Sequence, residues 1–175
     1  MLTYFSFVFC METDKLNHSK QKMELITMLL NHYLNFQGEA EAAFNFYKSV
    51  FGGEFAILKR YGEMPFDGNS NLSDAEKNYL LHISLPINEF TILMASDTTE
   101  QFCVANHPFI KGTNHYISIN LDKHEQEEAK RLFNALSVNG QIEMPLEKTF
   151  WGALYGAFTD QFGVKWMVNC QIEDM

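Results

Sequence analysis

Basic side chains are scarce in this sequence: 13 Lys and Arg stand against 22 Asp and Glu over 175 residues, a formal charge of −9. Phosphate backbones attract proteins through clusters of Lys and Arg, so this balance argues against nucleic acid as a partner. Cysteine is scarce as well. Cys10, Cys103 and Cys170 are odd in number, far apart and outside any CxxC pair, which speaks against a disulfide framework and fits a reducing compartment such as the cytoplasm. The apolar opening at residues 1–10 is about half the ~20 residues a membrane span needs. It also lacks the basic flank and small-residue cleavage site of an export signal, so neither a membrane partner nor secretion is expected.

What the sequence does have is apolar material. Hydrophobic residues make up 46% of it, with 16 phenylalanines, enough to bury a core and line a pocket as well. Leu34 and Phe36 alternate with Tyr33, Asn35 and Gln37, the period of a half-buried strand. From residue 39 the period becomes helical: Ala40, Ala43, Phe44, Tyr47 and Val50 recur on one face, and Gly52-Gly53 supplies the stop. Three strand patterns follow, at residues 54–61, 79–86 and 90–96, while residues 62–78 read as a surface loop.

The second half repeats this order. Asn114-His115-Tyr116 echoes Asn31-His32-Tyr33, Ile117, Ile119 and Leu121 alternate, and Ala129, Leu132, Phe133 and Leu136 repeat the helix spacing before Gly140. Strand patterns at residues 141–145, 149–158 and 164–170 complete it. The expected fold is α+β, two βαβββ modules whose curved mixed sheets surround a cleft, with helices on the outer face. The divisions are residues 1–27 as an N-terminal extension, 28–97 and 114–175 as the modules, and 98–113 as a linker. A ferredoxin-like βαββαβ domain has too few strands per half.

These residues carry a resemblance. Tyr33-Leu34-Asn35-Phe36, Ala40-Glu41-Ala42-Ala43, Phe46-Tyr47 and Val50-Phe51-Gly52-Gly53 resemble the first module of PhnB-like proteins. Thr149-Phe150-Trp151-Gly152, Phe162-Gly163-Val164 and Trp166-Met167-Val168-Asn169 resemble the second. PhnB-like proteins are a branch of the vicinal oxygen chelate superfamily, with glyoxalase I, bleomycin- and fosfomycin-resistance proteins and extradiol dioxygenases. The resemblance implies paired modules around a cleft, a homodimer, and in the enzymes one divalent metal held by His, Gln or Glu on the first and last strands. A methyltransferase label sometimes attached to this branch finds no support, because no Gly-rich nucleotide loop follows a strand here.

His32 and His115 are the tempting metal ligands, at the same place in each echo. Their parity is that of Leu34 and Phe36, or of Ile117 and Ile119, so they are expected to face the helices or lie in the preceding loops and not to share a metal. The family's glutamate falls near Met167 and near Leu93 or Met94, which are apolar. His82 differs, because Leu81, Ile83 and Leu85 occupy the other face of its strand. Tyr33, Asn35, His82, Trp151 and Tyr155 are therefore the expected ligand-binding residues, bordering one cavity. Asp97 and Asp160 read as turn formers. No catalytic residue is assigned. The leading expectation is a small-molecule-binding protein that needs no metal. A metal-dependent lyase, isomerase or dioxygenase and a sequestering resistance protein stand as alternatives, so a divalent metal ion remains an open cofactor.

Overall fold

A computed structural model of the chain describes residues 29–64, 72–99 and 109–173. The extension at 1–27, Cys10, Cys103 and His107 lie outside them. The chain forms two four-stranded sheets. The first holds β1 (Tyr33–Phe36), β2 (Ile57–Arg60), β3 (Leu80–Pro86) and β4 (Ile92–Asp97), the second β5 (Ile117–Leu121), β6 (Gln141–Lys148), β7 (Ala153–Thr159) and β8 (Lys165–Gln171). Strand order is β1-β4-β3-β2 and β5-β8-β7-β6. In each sheet the first strand runs parallel to the last and the other pairs are antiparallel. The two expected βαβββ units are present.

Helices α1 (Ala40–Phe51) and α3 (Gln126–Leu136) follow the first strands. Ala40, Ala43, Phe44 and Tyr47 of α1 are buried, as are Ala129, Leu132, Phe133 and Leu136 of α3, so the spacing read in the sequence is the buried stripe of each helix. Gly52, with φ of 79°, ends α1, as its left-handed conformation permits. The start of α1 has no cap from its own Glu39. Asp97, at the end of β4, takes that role: its Oδ1 accepts from the amides of Gly38 and Ala40, and its Oδ2 from Leu80.

One core serves both sheets. Tyr47 and Phe51 of α1 pack their rings on Trp166 of β8, and Arg131 of α3 donates to the Val50 carbonyl of α1. At the centre Asp160 is buried. It accepts from the Tyr47 hydroxyl at 2.7 Å, the Trp166 indole at 2.9 Å and the amides of Phe162 and Val164. Both Asp97 and Asp160 are acceptors for the core; Asp160 also opens a turn, whereas Asp97, expected as a turn former, is the last residue of β4. Gly156 of β7 lies under α3, where an added Cβ would stand 2.6 Å from the Phe133 ring and 2.9 Å from the Leu146 backbone.

Three local readings are corrected. The surface loop contains a short helix, α2 (Asp74–Asn78), opened by a capping box in which Ser73 and Glu76 bond reciprocally. Trp151 is not on a strand: residues 149–152 turn the chain before β7 begins at Ala153. In β3 the pairing slips between Lys59 and Arg60, so Leu80, not Leu81, joins Ile83 and Leu85 in the core. No described helix is long and apolar enough to cross a membrane.

Candidate functional site

With their helix sides turned to the core, the two sheets leave their other faces open. Phe36 is 1% exposed while Tyr33 is 46% exposed, so alternation in β1 sorts the faces as its sequence requires. On the first sheet the open face carries Tyr33 and Asn35 of β1, Met94 and Ser96 of β4, and His82 of β3. The Tyr33 hydroxyl is hydrogen-bonded to His82 Nδ1 at 3.1 Å, and the rings stack with centroids 5.7 Å apart. On the second sheet Tyr155 meets Trp151 edge to face at 5.9 Å, and Trp151 meets the almost fully exposed Phe150 at 4.8 Å.

The hairpins allow the halves to be aligned strand by strand. Pro86 faces Ile92 and Thr159 faces Lys165 as the last pairs before their turns. Counting from these pairs, His82 and Tyr155 occupy equivalent positions, as do Met94 and Met167. Since Tyr33 pairs with Met94 and Ser118 with Met167, the counterpart of Tyr33 is Ser118. The echo of Asn31-His32-Tyr33 in Asn114-His115-Tyr116 is therefore two residues out of register, and the two histidines are not equivalent.

Both histidines lie in the segments before their strands, and there they meet. His115 Nε2 is 3.2 Å from His32 Nδ1, which links the start of β1 to the start of β5. Burial first, and His115 second, lower the His32 pKa from its usual value. A neutral His32 offers the acceptor that this bond needs. The separation is also short enough for two imidazoles to meet one zinc at ~2.0–2.1 Å, but here the two nitrogens face each other in a hydrogen bond. A complete donor set is another matter. Met94 and Met167 stand on the open faces where the resemblance calls for a carboxylate, and no group of three or more His, Cys, Asp or Glu that could hold a metal occurs among the described residues. Among the described residues the donor set does not fit the superfamily's metal.

A cavity of about 280 Å³ opens at the seam between the modules. Tyr33 and Asn35 form its first-sheet wall, Phe162 and Lys165 its second-sheet wall, and Lys111 and His115 its remaining side. Of the five expected binding residues it takes in Tyr33 and Asn35. His82 touches it through Tyr33, whereas Trp151 and Tyr155 form a separate aromatic patch. Lys111 and its lining neighbours Phe109, Ile110 and Gly112 carried no readable signal, because only the fold brings them to β1.

Beside the cavity, Glu143 of β6 accepts from Lys165, Tyr116 and Thr159. These bonds, that from Lys165 foremost, hold its carboxyl down at about 2, below the ordinary 4.5. The stability this network adds is therefore complete above pH 4.5 and fades as the pH falls toward 2. Urea titrations of the wild type and Glu143→Gln should show the wild type more stable at pH 6 and the two converging near pH 2. A gap that does not narrow on acidification would contradict this assignment.

The chain has relatives of known sequence and structure. A family model, Glyoxalase/Bleomycin resistance protein/Dioxygenase superfamily, matches residues 29–168. Protein YjdN of Escherichia coli strain K12 is 32% identical over 148 residues, 81% of this chain and 95% of that protein. The crystal structure of protein PA1353 from Pseudomonas aeruginosa is similar at 36% identity and a TM-score of 0.69, covering 83% of this chain and 98% of that one. The PhnB protein from Bacillus cereus shares the fold at 24% identity and a TM-score of 0.61, with 82% and 99% covered. With its paired sheets and this match across most of its length, the chain belongs to the glyoxalase/bleomycin resistance protein/dioxygenase superfamily.

Proposed function

We propose that this protein is a PhnB-like member of the superfamily that binds a small organic molecule, with no metal required for binding. The observation that carries this reading is the seam cavity, large enough for a small metabolite and walled by both modules. Tyr33, held by His82, and Asn35 orient the ligand by hydrogen bonds. Trp151 and Tyr155 serve a second copy of the chain: on the open face of one module, their rings cover the His82 face of the other copy, so the working form is a homodimer. Ile57, Met144 and Trp151, each about half exposed on the open side, are apolar surface that such a partner buries. The scattered cysteines fit a cytoplasmic setting.

Native mass spectrometry of protein purified without chelator tests this directly. The expected species is a pair of 20.2 kDa chains carrying an added organic mass, and His82→Ala should lower the occupancy. A bare single chain at micromolar concentration would overturn the reading. The second reading is a metal-dependent enzyme, for which the His32 and His115 pair supplies two of the donors and the described residues no third. Elemental analysis of the same sample decides between the two, since a stoichiometric divalent metal would replace the first reading with the second.

A further inference from the structure

We infer that the molecule taken up at the seam is an organic anion, an aromatic or apolar body carrying one carboxylate or phosphate group, an inference that rests on the binding reading above. The starting point is charge. The chain carries 22 acidic side chains and a charge of −9, yet among the described residues no Asp or Glu lines the cavity, while Lys111 and Lys165 do. A protein with this net charge repels anions at long range, so anion uptake needs cationic groups concentrated at the site.

The two lysines differ in what they can offer. Lys165 is committed, since its ammonium bonds both Glu143 and the Tyr116 hydroxyl and lies 4.6 Å from the Tyr116 ring. Glu143 offsets its charge. Lys111 is held loosely: its Nζ stands 3.3 Å from Glu39 Oε2, with the two side chains 48% and 47% exposed. An exposed pair of this kind contributes little, so exchanging Glu39 for a ligand oxyanion costs little. Lys111 also lies across Gly163 and donates to the Phe162 carbonyl at 3.0 Å, which keeps its ammonium at the cavity edge.

Around this cation the lining divides into two kinds. The Asn114 side-chain amide adds N–H donors to the same lining as Lys111, while the partly buried rings of Phe109 and Phe162 supply apolar walls. An oxyanion at the Lys111 end leaves the ligand body against Phe162 and any further polar group within reach of Tyr33 and Asn35. A neutral ligand of the same shape fills the space but leaves Lys111 on its weak solvent pair. Discrimination between the two therefore falls on a charge-assisted hydrogen bond.

The test compares benzoate with benzamide, which share a ring and nearly a shape but differ in charge. Calorimetry and amide NMR on the full chain should show benzoate binding at least about tenfold more tightly, with shifts at Asn35, Phe162 and Gly163. Lys111→Met should abolish the preference and Lys111→Arg keep it, with near-ultraviolet circular dichroism confirming that both variants are folded. Benzamide binding as tightly as benzoate, with the same residues shifting, would overturn the anion inference and leave seam binding standing. So would a benzoate preference that survives Lys111→Met. Absence of seam shifts with either probe would overturn the inference, and if native mass spectrometry also finds no bound organic mass, the binding reading falls with it.

Discussion

Replacing Asp160 with alanine is expected to lower the unfolding free energy by about 3–5 kcal/mol, a large share of what holds a domain of this size together. The carboxylate is 4% exposed and accepts from four donors, two on its own turn, one on β8 and one on α1 of the other module. Alanine strands all of them in a place water reaches poorly. Tyr47 shows how dry the place is: burial, then Asp160, push its pKa well above the usual tyrosine value. Urea unfolding followed by far-ultraviolet circular dichroism gives the number. Tyr47→Phe removes one donor together with its need for a partner and should cost nearer 1 kcal/mol. The double variant should cost less than the two losses added, because the residues act on one bond. A loss below 1 kcal/mol for Asp160→Ala would show that the modules do not depend on this acceptor.

Asp97→Ala is expected to cost about 3 kcal/mol through a different element. Asp97 is 2% exposed and supplies from β4 the cap that α1 lacks locally, while also holding the first amide of β3. Removing it frees the amides of Gly38, Ala40 and Leu80 together. Hydrogen exchange should therefore accelerate at these three positions more than at the middle of α1. Uniform acceleration across the helix would mean that the loss is global and that capping is not its cause.

What could be read in advance follows the range of the interaction. Both main helices were legible because burial repeats every three or four residues, and the face of β1 because Leu34 and Phe36 alternate with Tyr33 and Asn35. The orientation of His82 was legible from Ile83 and Leu85, even though the slip at Leu80 was not. Ser73 and Glu76 carry a cap signature, but it is short and sits inside a polar stretch. Asp97 and Asp160 looked like turn residues since their distant donors lie on other elements. The meeting of the two histidines was hidden for a related reason: strand parity says nothing about residues just ahead of a strand, where the backbone leaves the pleat. Their meeting depends on how β1 and β5 sit side by side. The seam cavity has the same origin, being built where segments remote in sequence converge.

The bond from Tyr47 to Asp160 also has a meaning in time. Donor and acceptor are 113 residues apart, so at a synthesis rate of about 5–20 residues per second the hydroxyl waits roughly 6–23 s for its partner to be made. Through that interval the ring faces of Tyr47 and Phe51 that later rest on Trp166 have nothing from the second sheet to cover them. The first module can pair its strands during the wait, because β4 is complete by Asp97. A nascent chain paused between the modules therefore carries a finished sheet and an unfinished helix face, and it is at this stage of synthesis that a holdase chaperone has most to bind.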